Sequence, residues 1–455
     1  MKKFKKVLAC AAACVTACSV AALTACTENG PADGLSADVK VAETMSSEQL
    51  NAQIARFANI SATSFTAEGG IKITKLLGGA LGDNAVTVAD LAAKGNLEDG
   101  DADIKIKLNS QIFGDGSVAS ARSGFLDYNV YLRGFNVFYM TEPAAETYEY
   151  MDLTASDTAD TAAADMLATM LAGSLNDYSL LFKLANTTDS IIVSETEHTI
   201  TLNINQMVYG LYGYIKQIVN NITTDTTLGG LIKCSAIKYY INAYAGEMTA
   251  QDLYDTVMQI IVGNIGGGES GTTPFADVPE SSLVAAIIPL QGESVYDYIV
   301  RMLNSEDVAT LVGSEKPLGA YKISEWLGED AAAALKSLKD AVNALDGTVI
   351  SRNKITVPAQ GGTQSADSEV SISDLSLVFT FDAQDDLKTV NLSGVVGADM
   401  DGEVEMELNL TVTLLGQKVT GLDEIGAYTV NVRDDYGDIL GTTTVESILT
   451  PDTAE

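Results

Sequence analysis

The chain has one histidine, His198, and one tryptophan, Trp326, among 455 residues. A single histidine excludes every motif that needs two, H-E-x-x-H first among them. It also leaves any Ser-His-Asp triad dependent on His198, with no G-x-S-x-G to supply the nucleophile. His198 enters a period-two run on the parity of Ile200, which reads as a structural position at a strand end. Bases are scarce as well: 27 Lys and Arg stand against 61 Asp and Glu, a net charge of −34. Such a surface repels nucleic acid and anionic lipid headgroups and suits a well-solvated extracellular protein. No C-x-x-C occurs, so zinc ribbons and thioredoxin-like sites fall away. Gly266, Gly267 and Gly268 are not followed by the G-K-[ST] of a phosphate loop. Ser351 and Lys354 match S-x-x-K, but neither S-D-N nor K-T-G follows.

The five cysteines are unevenly placed, at 10, 14, 18, 26 and 234. The first three lie inside "VLACAAACVTACSVAALTA", 19 residues without a charge that follow "MKKFKK". A basic start, an apolar run and small residues at its end make a secretory signal. The run is long enough to span a bilayer, yet its Ala, Cys and Thr content makes it weakly hydrophobic, and it ends in Leu23-Thr24-Ala25-Cys26.

That tetrapeptide resembles the lipobox of bacterial lipoproteins: leucine, two small residues, cysteine. The resemblance implies that Cys26 receives a diacylglyceryl thioether and becomes the first residue after cleavage. Removal of residues 1–25 takes away four lysines and no acid. Two acyl chains make an adequate anchor, because each buried CH₂ contributes about 0.8 kcal/mol and one chain alone binds marginally. Residues 26–46, mixing Gly, Pro, Ser and acids, are expected to be a flexible tether. Cys234, alone in the remaining chain, reads as a small buried apolar residue.

Beyond the tether the period of the apolar residues changes twice. "SSEQLNAQIARFANI" predicts a short helix with Leu50, Ile54 and Phe57 on one side. "DADIKIKLNS" then alternates Ile104, Ile106 and Leu108 with polar residues, behind a hairpin-type turn at "EDGD". Further strands are expected around 125–152 and at "EHTITLNIN". "NQMVYGLYGYIKQIVNNI" switches to helical spacing. "MTAQDLYDTVMQIIVG" and "ESVYDYIVRMLNS" both open on capping signals, Thr249 with Asp252 and Ser294 with Asp297. "ISEWLGEDAAAALKSLKDAVNAL" closes the helical stretch. Period two returns in "SDLSLVFTFDAQDDLKTVNLSGVV" and most clearly in "GEVEMELNLTVTLLG". There Val404, Met406, Leu408, Leu410, Val412 and Leu414 alternate with polar residues, as in an antiparallel strand with one covered face.

The order strands, helices, strands predicts an α+β fold. Residues 47–455 are expected to form a single unit: strands at 65–152, a mainly helical 160–346 with a strand near 190–205, and strands at 348–447. A large curved antiparallel β-sheet, half-barrel-like, would carry the helical middle segment on its apolar face; separate β domains joined by a helical one are the alternative. Runs such as "NVYLRGFNVFYM" and "LSLVFTFDAQDDLKTV" give this arrangement a likeness to the LolA- and LppX-type envelope lipid carriers. That resemblance implies a lipidated chain carrying an apolar ligand.

Candidate chemistry is sparse. Asp99, Asp101 and Asp103 alternate as in a calcium loop, but Ile104 and Ser110 stand where Gly and Glu are needed; a solvated hairpin turn is the expectation. Asp382, Asp385 and Asp386 also sit where a hairpin must turn. Tyrosines crowd the helical stretch, and Tyr209, Tyr212, Ile215, Tyr240 and Tyr244, with Leu408 and Leu410 of the long strand, are the candidate lining of an apolar cavity; core and rim packing is the plainer reading. The sequence thus points to an extracytoplasmic, membrane-anchored, non-enzymatic lipoprotein binding a lipid or other apolar small molecule. It names no metal, cofactor, catalytic residue or nucleic-acid partner. A surface lipoprotein with a filled core and no ligand is the alternative, and a carboxylate-based hydrolase stands third.

Overall fold

A computed structural model of the chain describes residues 35–113, 124–134, 136–142, 145, 147–152, 178–245, 249–251, 254, 288–311, 313–358, 369–399, 403–433 and 439–450. The fold is α+β. Two compact units are formed, one from residues up to Thr44 together with Tyr209–Thr348, the other from Met45–Val208 and Val349–Glu455. Among the described residues no helix is long and apolar enough to cross a membrane.

The second unit holds one open sheet of 15 strands. They are β1 (Ser64–Leu76), β2 (Gly79–Ala80), β3 (Val86–Asn96), β4 (Asp101–Asn109), β5 (Phe125–Arg133), β6 (Asn136–Tyr139), β7 (Thr147–Asp152), β8 (Ile191–Ser194), β9 (Thr199–Asn203), β10 (Lys354–Pro358), β11 (Glu369–Phe381), β12 (Leu387–Asp399), β13 (Glu403–Leu415), β14 (Thr429–Arg433) and β15 (Ile439–Thr444). The order across the sheet is β15-β14-β7-β6-β5-β4-β3-β1-β13-β12-β11-β9-β8, with β2 beside β1 and β10 beside β11. The two strand-rich stretches of the sequence therefore meet in one sheet, at the β1–β13 pair. Both strands are long and strictly alternating, which fixes register wherever one face is apolar.

One pair departs from the antiparallel expectation: β14 runs parallel to β7, with Thr429 opposite Thr147 and Val430 opposite Tyr148. An antiparallel neighbour can be reached by a tight hairpin, a parallel one only by a long crossover, and the whole middle of the chain separates these two strands. The helix Ser47–Ala55 forms as expected, capped by a Ser46–Gln49 box. With the helix Tyr178–Thr187 it belongs to the sheet's unit.

Residues 209–348 do not join that unit, contrary to the single unit expected over 47–455. They gather a core of their own: Ile222, Ile232, Cys234, Ile237, Ile241, Val295, Tyr296, Val300 and Leu335 are buried together. The helix Ile204–Asn221 leads into this core, followed by helices at Ser235–Ala245, Val295–Asn304 and Ala331–Ala344. Ser294 caps its helix as the spacing predicts, its hydroxyl accepting from the N–H of Asp297 at 3.0 Å. The other signal, around Asp252, and most of "MTAQDLYDTVMQIIVG" lie outside the described residues.

Of the tether expected over 26–46, residues 26–34 lie outside the described residues, and residues 35–42 are docked. Leu35 and Val39 are buried in the helical core. The Val39 carbonyl accepts from Ala236 N–H at 2.9 Å, Asp38 accepts from the Ser235 amide and hydroxyl, and Ala42 N–H donates to the Tyr214 hydroxyl at 3.0 Å. Burial and the Glu43 carboxylate push the Tyr239 hydroxyl up to about 12. Leu35, Val39 and Val41, which make this contact, lie in too short a run for the docking to show in the sequence.

Candidate functional site

The cross-strand registers turn the alternation of single strands into two chemically distinct sheet faces. Leu410 of β13 lies between Gly69 and Leu392. Following the same row outward, Gly69 is opposite Leu91, Leu91 opposite Ile106 and Ile106 opposite Tyr128. In the other direction Leu392 faces Leu377, Leu377 faces Leu202 and Leu202 faces Ile191. The row crosses nine strands, and its one polar side-chain atom is the Tyr128 hydroxyl at its end. The row beside it runs through Val130, Ile104, Ala93, Ala67, Val412, Val390, Phe379 and Ile200. Leu408 centres a third, between Ile71 and Gly394. Gly69 belongs in this surface for a local reason: a Cβ there would come within 2.4 Å of the Asn409 carbonyl oxygen.

One residue along, the pattern inverts. Asp127, Lys107, Asp90, Gly70, Asn409, Ser393, Ser376 and Asn203 form a polar row on the opposite face. Its groups satisfy one another: the Ser376 and Ser393 hydroxyls are 3.0 Å apart, and Asn391 donates to Asn409 and Thr411, both at 2.8 Å.

Among the described residues the apolar face is packed in at two places: over β4–β6, where Ala102, Leu132 and Val137 are buried together, and at the β9–β11 end. There Phe57 meets Phe182, Phe379 and Phe381 edge to face, with ring centroids 5.0–5.3 Å apart. Phe182, Phe379, Ile200 and Leu202 are fully buried. Arg56 lies over the Phe381 ring at 3.9 Å and pairs with Asp385 at 2.7 Å. Leu91, Ile104, Ile106, Leu108, Val130, Leu392, Leu408 and Leu410 are half-buried.

The polar face is crossed by residues 417–430. Asp103, 1 % exposed, pairs with Arg133 at 2.9 Å and accepts from the Asp423 N–H at 2.7 Å. Arg133 also donates to the Asp423 carbonyl at 2.8 Å. Burial works against the charge of Asp423, but the Lys105 ammonium at 2.9 Å outweighs it and holds this carboxyl below its ordinary value. Beyond it Tyr131, Phe138, Tyr148, Ile425, Val430 and Val445 make a small core, with Tyr148 stacked on Tyr428 at 5.2 Å. Burial among these rings pushes the Tyr131 hydroxyl up.

This arrangement corrects the reading of the aspartates at 99–103 as a solvated turn. Only Asp99 is a turn residue, paired with Lys418 at 2.9 Å. Asp101 accepts from Gly134 N–H at 3.0 Å, and Asp103 is inside β4, buried and ion-paired. Asp382, Asp385 and Asp386 do form the β11–β12 turn; Lys388 pairs with Asp382 at 3.1 Å and with Asp386 at 2.6 Å. Among the described residues no group of three or more His, Cys, Asp or Glu is placed to hold a metal ion. His198 is exposed in the β8–β9 turn at φ +52°. A pocket of about 440 Å³ is lined by Glu424, Gly426, Ala427, Glu446, Leu449 and Thr450, a mixed set that includes none of the expected lining residues.

The seven candidate lining residues are divided between the units. Leu408 and Leu410 belong to the sheet. Tyr209, Tyr212, Ile215, Tyr240 and Tyr244 belong to the helical unit. Tyr212 is buried and donates to the Val342 carbonyl at 2.6 Å; burial pushes its hydroxyl up. Tyr240 packs edge to face on Tyr214 and Tyr239, and Tyr244 is 65 % exposed. Cys234 is fully buried, 3.8 Å from the Val39 carbonyl. Leu23, Thr24, Ala25 and Cys26 lie outside the described residues.

No protein-family model, no curated protein and no solved structure matches this chain.

Proposed function

We propose that the chain is a lipoprotein of the bacterial cell envelope, tethered outside the cytoplasm through acylated Cys26, and that it binds an apolar small molecule or lipid on the apolar face of its sheet without transforming it. The observation that carries this reading is the run of half-buried Leu, Ile and Val across that face, closed at the Phe57–Phe182 end. A polar, hydrogen-bonded opposite face and a lipobox-like signal support it. Apolar surface lined with a few polar groups at its margin is what sites for acyl chains require.

A second reading, a surface interaction lipoprotein with no ligand, is favoured by the helical tyrosines: Tyr212 and Tyr214 spend their hydroxyls on the main chain of their own unit. The two readings part on one measurement. Native mass spectrometry of anchor-free protein should find a co-purifying lipid mass, lost when Leu408→Asp and Leu410→Asp place charge on the face. A clean apo mass under gentle conditions would refute the ligand and leave the interaction protein.

A further inference from the structure

Trp326, the chain's single tryptophan, is 61 % exposed, and Leu327 beside it is 47 % exposed. Both end the short helix Ile323–Leu327, which stops at Gly328 with φ +67°. The helix Ala331–Ala344 packs next to it and exposes Leu338. The tryptophan is held in place: its ring meets Tyr321 edge to face at 6.1 Å, and Tyr321 is itself fixed by the Ser314 hydroxyl at 2.9 Å and by the Lys316 ammonium 4.4 Å over its ring. A large aromatic group held rigid yet left in solvent is poorly explained by core packing, and it is the side chain best suited to a membrane–water interface.

The patch lies at the end of the helical unit where the N-terminal segment enters. Ser36 N–H donates to the Asn221 carbonyl at 2.9 Å, and a few residues on, Thr224 and Thr226 accept from the N–H groups of Ser324 and Ile323 at 3.0 and 2.9 Å. Trp326 follows two positions later. Leu35 is nine positions after Cys26, so at ~3.3–3.6 Å per residue the acylation site is at most about 30 Å from this end of the unit. The nearest charges are paired, Lys316 with Glu325 at 2.7 Å and Lys322 with Asp225 at 2.8 Å. Glu329 and Asp330 follow directly, which disfavours an anionic surface.

We propose that Trp326 and Leu327 are the contact by which the helical unit rests on a zwitterionic lipid surface, Trp326 seated among the headgroups beside the anchor. The proposal rests on the lipid-anchor reading, and its test is separable from it. The chain beginning at Cys26 can be coupled through that thiol to a maleimide lipid in phosphatidylcholine vesicles, because Cys234 is fully buried. Coupling is then chemical, whatever a cell does to Cys26; acylation itself is read from the mass of the N-terminal peptide of protein taken from native membranes.

With one tryptophan, all indole emission reports this site. On vesicles the emission should shift to the blue, be quenched by brominated acyl chains and lose its access to acrylamide. Leu327→Asp, at an exposed position and with an unchanged circular dichroism spectrum, should reverse all three. A shift without bromolipid quenching, or emission that stays solvent-like on tethered vesicles, overturns the proposal.

Discussion

Asp103 shows what one position in a strand decides. Its neighbours Ala102 and Ile104 face the apolar side of the sheet, so Asp103 must face the other, and there the chain at Asp423 closes over it. The carboxylate is satisfied by Arg133, 12 % exposed, and by the Asp423 amide. Removing one partner of a buried pair leaves the other charge without compensation, which costs about 3–5 kcal/mol, whereas replacing both with apolar groups is often close to neutral. Asp103→Ala should therefore lower the unfolding free energy of the sheet unit, read from urea titration, by about that amount, and the double change Asp103→Leu with Arg133→Met should recover most of it. Equal loss in the single and double variants would show that the pair is not the source. The sequence displays the alternation that puts Asp103 on the polar face. It does not display the segment that buries it, because Asp423 is some 320 positions away and sits in a stretch with no period of its own.

At the scale of elements, the alternating strands were the legible part. β13, β11, β12 and β4 form where the period-two runs predict, and the "DAQDD" and "EDGD" turns join the strands on either side. What the pattern could not give was partnership: that β1 meets β13, or that β14 returns parallel to β7, follows from which faces match and which connections are long enough. The helix over 323–345 also divides, since Gly328 at φ +67° interrupts an otherwise regular apolar spacing. The β11–β12 turn has a titration of its own. Burial opposes ionisation of Asp386, but hydrogen bonds from Lys388 and from the Ser61 hydroxyl and amide prevail and hold it at about 2, against an ordinary 3.8. A carboxyl lowered in the folded chain stabilises it fully above the ordinary value and loses that contribution as pH falls through the folded one. Asp386→Asn should thus reduce stability near neutral pH by about 1 kcal/mol, the scale of a partly solvated ion pair. It should also flatten the stability–pH profile between 3.8 and about 2. An unchanged acid limb in thermal melts of the variant would count against this assignment.

For the whole molecule, the question is what residues 35–44 contribute. The apolar face of the sheet was foreseeable from strand periodicity. The separate helical core was not, because helical spacing reveals a buried stripe without saying what it packs against. Leu35 and Val39 complete that core from outside its main stretch of sequence, and the Val39 carbonyl lies beside the Cys234 thiol. A terminus tolerates removal according to the burial and hydrogen bonding of the backbone removed, not its distance from the chain end. A chain beginning at Leu35 keeps Cys234 as its sole cysteine, so a thiol reagent reads that site alone. Cys234 should react there only on unfolding. A chain beginning at Met45 removes two buried apolar side chains and the acceptor of the Ala236 amide. Its Cys234 should label under native conditions, while the polar and apolar rows of the sheet, which lie in the other unit, keep their amide-exchange protection. Equal protection of the thiol in both chains would mean that the segment merely lies on a core already complete without it.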